Sequence, residues 1–526
     1  MPLGVIQVDG QHAPGTVLLI NQTAGDGFLQ EKHDTGKNTN VILVPQPSNS
    51  PNDPLNWPQW KKNLAYAVIF ANSIIYASIP APLIAPSTVL LSQSLGRSIK
   101  DVSMLTAYQL LLCACYGPIA SALAHKYGKR PQFIFGAVMG MVGTIVCCTT
   151  TYSYRVLLAG RIIQGVGSSV FESLSMAVIG DLFFVHERSF RASLLVMTWT
   201  CIISLVSILG GLITEELGWR YVFLIHLPFT IVGVIATFLL LPETQYQSDP
   251  DDIAGAPEET QVEDKGRNEI SHEHDELPDR ENGGVPSSST EMKKTFVQEL
   301  AIYSRTFSDT NLFKLVFAPF GVLLNPAVIW LTIVGSVCIA LYVALSYILA
   351  QIWSPPPYNL NARQNGTFYV GALIGGLLSS TVSPWVGDII TTKMTKWNQG
   401  VYEPEFRIPM IIFATLFCGI GWFVFMWDLD NPTPHGYYLG AFCHGCLCAG
   451  TTIGMTVANL YILDAFRESS TEIFVLAMAS KNFLFYGFSE FINDWTERQG
   501  PSEVLRVFGI VTMCIMATSL VLCKFD

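Results

Sequence analysis

Charged side chains are scarce in this sequence. Of its 526 residues only 13% are Asp, Glu, Lys or Arg, half are hydrophobic, and the mean hydropathy is +0.38, outside the range of an ordinary soluble enzyme. No soluble segment carries a basic stripe, which excludes nucleic-acid binding. A phosphate-cradling loop is also missing, because Gly165-Val-Gly-Ser-Ser169 lacks the full glycine-rich pattern and lies inside an apolar run. No nucleophile and base stand at a catalytic spacing, so neither an enzyme nor a cofactor is expected. The first 50 or so residues lack the apolar core and cleavage-type site of a secretory signal, so insertion is expected to rely on the first spanning helix. Twelve cysteines are present, but all lie in apolar runs, which argues against a disulfide framework. Cys443-His-Gly-Cys-Leu-Cys448 holds soft metal ligands, yet a structural zinc needs four that converge and only three or so do here. No metal is expected, and the small residues are read as packing a helix contact.

Apolar runs are what the chain has in abundance. About 20 such residues cross a bilayer as a helix, and twelve candidates lie at roughly 65–90, 103–124, 132–151, 156–180, 192–214, 219–241, 326–350, 366–390, 408–427, 437–463, 472–492 and 504–523. The expected fold is an all-α membrane protein with twelve transmembrane helices in two six-helix halves, residues 62–243 and 321–526. Residues 1–61 form a cytosolic tail on this reading, and 244–320 an acidic, largely disordered cytosolic linker. Positions 244–294 hold 14 acidic against 5 basic residues, nine of the chain's eleven net negative charges. The acidity therefore says nothing about a substrate. Lys61/Lys62, Lys126/Lys129/Arg130, Arg188/Arg191, Lys393/Lys396/Arg407 and Arg467 share one side if both termini are cytosolic. Trp57 and Trp60 beside the first lysine pair read as an interfacial anchor.

The loops carry a resemblance. SALAHKYGKRP (121–131), RVLLAGRIIQGVGSS (155–169) and GGLITEELGWRYVFLIHLPF (210–229) resemble motifs of the major facilitator superfamily in order and spacing. DPLNWPQWKK (53–62), LPET (241–244), SPPPYNL (354–360), GVYEPEFRIP (400–409) and SKNFLFYGFSEFINDW (480–495) are similar to its fungal drug:proton-antiporter-like branch, which includes polyamine and histidinol carrier-like members. The resemblance covers about 53 to 523 and implies the major facilitator fold, with two halves rocking around a central site. It also implies a cytosolic gating loop at His125, Gly128, Lys129 and Arg130, in which an acidic residue normally takes part. His125 stands at the usual acidic position and Ser121 at the usual first glycine. In the fifth helix, Val206-Ser207 replaces the antiporter-type Gly-Pro pair.

Ionisable groups inside a span are costly and usually face the bundle interior. Arg161, Gly165, Ser168 and Glu172 recur at helical spacing, so arginine and glutamate share a stripe. They stand about 16 Å apart along the axis, too far for an ion pair in one straight helix. Two readings are open for Arg161: a structural guanidinium satisfied by neighbouring carbonyls and hydroxyls, or the coupling role the resemblance implies. Glu172 has no sequence-near cation, so desolvation is expected to disfavour its charged form and suit it to take up and release protons. Lys481, with its motif neighbour Asn482, either lines the cavity or pairs structurally, with Asp464 or Asp388 as candidate partners. Tyr342, Tyr347, Gln351, Asn459 and Tyr461 are candidate pocket residues. Asn365-Gly-Thr367 is a glycosylation sequon in a loop expected to face outward, and Asn21-Gln-Thr23 one expected to stay cytosolic.

The expected function is secondary, proton-coupled transport of small organic molecules by a monomeric plasma-membrane protein, with both termini cytosolic. Its partners are the lipid bilayer, a small organic substrate and protons. Export of drugs, toxins or a secondary metabolite comes first. Import of polyamine-like cations and a non-transporting sensor are the alternatives.

Overall fold

Proline shapes the first span. In the computed structural model, which describes residues 17–18, 48, 50–150, 153–246, 295–303, 305–356, 358–398, 401–466 and 470–525, the helix Gln59–Ser73 loosens into a π turn, Ile74–Ser78. Pro80, Pro82 and Pro86 then break it into a tight 3₁₀ stretch, Pro82–Ser87, before Thr88–Leu95 completes the crossing. Proline lacks the N–H that would donate to a helical carbonyl. The Tyr76 carbonyl, whose helical partner would be Pro80, is thereby left for a neighbouring helix.

Eleven described helices are long and apolar enough to cross a bilayer. In order they are Gln59–Leu95, Ile99–Tyr127, Lys129–Thr149, Tyr154–Leu182, Val185–Glu216 and Trp219–Leu240, then Pro326–Trp353, Ala362–Trp397, Pro404–Asp430, Gly436–Ala465 and, last, Pro501–Phe525. Ser470–Gln499 is of similar length but more polar, because it carries Glu472, Lys481, Glu490 and Asp494. It packs between the second and seventh spans and stands eleventh in a bundle of twelve.

Local signals set several of the helix ends. Ser98 and Asp101 form a capping box at the second span, Asn361 and Gln364 one at the eighth, and Asn325 caps the seventh ahead of Pro326. Gly128, at φ +98°, lets the second and third spans meet in a turn that L side chains rarely adopt. Two-residue strands, Val17–Leu18 and Val401–Tyr402, pair antiparallel and tie the N-terminal region to the connection between the eighth and ninth spans.

Each half has its own apolar core. Phe133, Phe171 and Leu174 belong to one in the first half, and Trp353, Phe368, Trp422 and Phe425 to that of the second. Large apolar side chains such as Phe229, Val232 and Trp385 are exposed on the outside of the bundle, as lipid-facing positions require. The halves meet where the second and fourth spans pack on the eleventh, and the fifth on the eighth.

One boundary needs correction. The expected disordered linker, 244–320, is partly folded. Although 247–294 lie outside the described residues, Phe296–Glu299 and Leu312–Gly321 are helical. The Phe307 N–H donates to the Lys126 carbonyl at 2.8 Å and its ring is buried beside Gly128. Sequence averaging hid this change, because the acidic residues concentrate before Lys294.

Candidate functional site

Between the halves, near the middle of the spans, lies a cavity of about 240 Å³. The first half contributes Thr106, Glu172, Trp199, Thr200 and Ser204, and the second Tyr342, Tyr347, Tyr369, Lys481, Asn482 and Phe485. Glu172 and Lys481 are the only Asp, Glu, Lys or Arg among the described lining residues. They face each other: the Lys481 ammonium donates to Oε1 of Glu172, 309 residues away in sequence, forming an ion pair that joins the fourth span to the eleventh. Oε2 accepts from Cys113 Sγ at 2.9 Å and Asn482 Nδ2 at 3.3 Å. Three donors thus converge on one carboxylate.

The sequence picture of this region changes in three ways. Glu172 has a cation after all, brought by the fold rather than by sequence proximity, so desolvation no longer acts on it alone. Lys481 pairs with Glu172, not with Asp388, which lies 3.7 Å from Arg407; the Asp464 side chain lies outside the described residues. The arginine–glutamate stripe also does not face the cavity as a unit. Arg161 is fully buried and donates to the Pro80 carbonyl at 2.7 Å, Gln164 Oε1 at 3.2 Å and Thr106 Oγ1 at 3.1 Å. Ser168 donates to the freed Tyr76 carbonyl at 2.6 Å, and Gly165 lies against the Gln109 backbone. The upper part of the stripe seals the fourth span onto the bent first span and onto the second. Only Glu172 reaches the cavity.

Of the pocket candidates, Tyr342 and Tyr347 line the cavity, and Tyr347 stacks on Phe485 at 4.6 Å. Gln351, Asn459 and Tyr461 do not. Gln351 donates to the Asn493 carbonyl at 3.4 Å, and the Tyr461 hydroxyl to Glu405 at 3.3 Å. His444 lies behind the wall, stacked with Tyr342 at 5.4 Å and Phe368 at 5.2 Å. The eleven cysteines whose side chains are described form no disulfide. Sequence reading missed Trp199 and Tyr369 at the cavity wall and Cys113 behind Glu172; a cysteine or aromatic on an apolar helix carries no mark of what it faces. The sequon also needs correction. Asn365 is 5% exposed and its Nδ2, the atom a glycan would occupy, donates to Ser354 Oγ at 2.9 Å. A sugar on that atom would break the Ser354 contact and require the buried side chain to turn outward. Asn21 lies outside the described residues.

The cavity is closed on the face away from the linker. Lys100 at the start of the second span reaches Asp494 at 3.3 Å and Glu490 at 3.9 Å on the eleventh, and Arg363 of the eighth reaches Glu216 of the fifth at 3.6 Å. Gly211 fits so close to the eighth span that a Cβ there would stand 2.5 Å from the Ala362 carbonyl oxygen.

On the linker face, His125 is exposed, and its carbonyl accepts from Gln245 at 2.8 Å. Other acids serve the loop instead. Asp181 pairs with Lys129 at 2.5 Å, and Glu243 accepts the backbone N–H groups of Lys129 at 2.9 Å and Arg130 at 3.1 Å. The Arg130 guanidinium, 1% exposed, donates to the carbonyls of Phe238, Glu299 and Leu300, so it holds the sixth span to the linker. Lys61 pairs with Glu299 at 2.6 Å.

Two six-helix halves packed around a central cavity, with an ion pair between the halves at the cavity wall, define a multi-pass membrane transporter. The chain belongs to the Major Facilitator Superfamily, whose sequence profile matches residues 64–488. An uncharacterised MFS-type transporter of Schizosaccharomyces pombe, C1271.10c, is 23% identical, the match covering 98% of this chain and 92% of that one. An Escherichia coli protein named for multidrug resistance, MdtD, is 28% identical over 39% of this chain and 41% of its own length. The xylose transporter XylE of Escherichia coli, in a partially occluded inward open conformation, superimposes with a TM-score of 0.57 at 12% identity, covering 88% of this chain and 98% of that one. The fold is shared at that level.

Proposed function

We propose that this chain exports small amphiphilic organic molecules, drugs, toxins or a secondary metabolite, across the plasma membrane by proton-coupled alternating access. The observation that carries the reading is the Glu172–Lys481 pair, which bridges the halves at the wall of the cavity. Such a pair is made or broken according to what occupies the cavity, and it ties that occupancy to the relative position of the halves. The mixed wall of aromatic rings and hydroxyls supports an amphiphilic cargo, and the likeness to a protein named for multidrug resistance supports export. A polyamine is disfavoured, because Glu172 is the one acid among the described lining residues and cannot match several positive charges. Untargeted metabolite analysis of a strain lacking this chain and its parent tests the direction. The expected result is one or more compounds retained in the deletion cells and missing from their medium. Compounds drained from the medium only by the parent would identify an importer. A chain that moves nothing, yet whose E172Q variant alters a signalling output, is a sensor.

A further inference from the structure

The outer end of the second half holds a buried carboxylate that the transport reading does not use. Asp428, in the last turn of the ninth span, is 0% exposed, and neither of its oxygens has a hydrogen-bond partner among the described residues. It faces the first turn of the tenth span yet accepts no N–H from it. A carboxylate withdrawn from water in this way is costly unless a positive group compensates it.

A third oxygen shares the position. The Tyr358 hydroxyl, from the connection between the seventh and eighth spans, is also buried and without a described partner. Gly436, which opens the tenth span, relates the three: a Cβ there would stand 2.8 Å from Tyr358 Oη and 3.0 Å from each Asp428 oxygen. Glycine at 436 thus leaves a cradle of atomic size, faced by three oxygens from two other elements. The aromatic core fixes those elements. Trp353 meets the Tyr358 ring edge-on at 4.6 Å and lies nearly parallel to Phe425, three residues before Asp428, at 6.1 Å.

We propose that Asp428 and Tyr358 ligate a monovalent metal cation in the cradle beside Gly436. Size selects a single atom, because an organic ammonium needs more room than one missing Cβ gives. Charge selects a monovalent ion: one carboxylate neutralises one positive charge, and a divalent ion would keep a second one in a desolvated place. Carboxylate and hydroxyl oxygens are hard donors, which suit such cations. The carbonyl end of the ninth-span helix also favours positive charge over the carboxylate alone. Tyr358 lines a groove on the face away from the linker, with Pro432, Thr433 and Tyr437, so an ion reaches the hydroxyl from outside. Bound there, it ties the connection before the eighth span to the end of the ninth and the start of the tenth. The site is separate from Glu172 and Lys481 and holds for an exporter and an importer alike.

Purified full-length protein in detergent tests the assignment. Its melting is followed as sodium or potassium chloride replaces choline chloride at constant ionic strength, and binding is measured with radioactive sodium, or with rubidium standing for potassium. The expected result is a saturable rise in Tm with at least one of the metal ions, and one ion bound per chain. D428N is expected to fold in choline and to lose both responses, because a neutral amide needs no counter-charge. Y358F keeps the ring but removes an oxygen, and should weaken affinity about tenfold. No response beyond that to choline, the outcome if a proton or a water compensates Asp428 instead, overturns the proposal. So does an undiminished response in D428N, unchanged affinity in Y358F, or a response to calcium or magnesium alone.

Discussion

Arg161 is a buried charge held by neutral acceptors. Its guanidinium reaches a carbonyl on the first span, a hydroxyl on the second and an amide on its own helix, three directions that a planar fork can serve and an ammonium cannot. Arg161→Lys is therefore expected to strand at least one buried acceptor, lowering stability by about 1–3 kcal/mol. Thermal unfolding in detergent would read this as a lower Tm, and an unchanged Tm would show that the fork is not structural. Much of this residue-scale picture was legible in the sequence: a charge in an apolar run is expensive, so Arg161, Glu172 and Lys481 stood out. Their partners did not. Periodicity puts Arg161 and Glu172 on one stripe, but at the two heights different neighbours pass that stripe, the broken first span at one and the eleventh at the other.

At the scale of elements, the linker-face hairpin is the part the motif pattern described least well. The pattern led to His125, whereas Asp181 and Glu243 do the work, from helix ends that are distant in sequence. Burial pushes the Glu243 carboxyl above its ordinary range, against the amide donors of Gln245, Lys129 and Arg130. The folded chain thus holds that proton more tightly than the unfolded one does, so this contribution to stability is full below the unfolded pKa and is lost as pH rises through the folded pKa. Glu243→Gln, whose amide oxygen can still accept from Lys129 and Gln245 but whose NH2 cannot accept from Arg130, is expected to lower Tm somewhat and to flatten its fall over that window; an unaltered pH profile would exclude Glu243 as its source. Gly128→Ala would place a methyl against the Glu243 carboxylate in a backbone conformation reserved for glycine. The expected cost is about 1–3 kcal/mol, again measured as Tm. Where composition was uniform, as across each apolar run, element boundaries were readable. Within 244–320 the acidic stretch masked a docked segment, because average composition does not show where the polarity stops.

Across the whole molecule, twelve helices and two halves followed from bilayer thickness alone, but how the halves meet did not, since that is set by contacts between residues hundreds of positions apart. Lys100 with Glu490 and Asp494, and Arg363 with Glu216, hold the face opposite the linker shut. If that face is a gate, cysteines introduced at Lys100 and Asp494 are expected to lock it when oxidised and free it when reduced. Transport should stop and recover accordingly, judged against either single variant; full activity in the oxidised double variant would place the gate elsewhere. The central claim is that the Glu172–Lys481 bridge couples proton movement to substrate movement. Removing one partner of a buried pair costs about 3–5 kcal/mol, so E172Q should reduce coupled transport by at least about two orders of magnitude. The direct measurement is ethidium accumulation in proteoliposomes with an acidic lumen. Unaltered protein is expected to accumulate the dye until the pH gradient is collapsed, with E172Q close to protein-free vesicles; equal accumulation by E172Q, or accumulation indifferent to the gradient, would contradict the account.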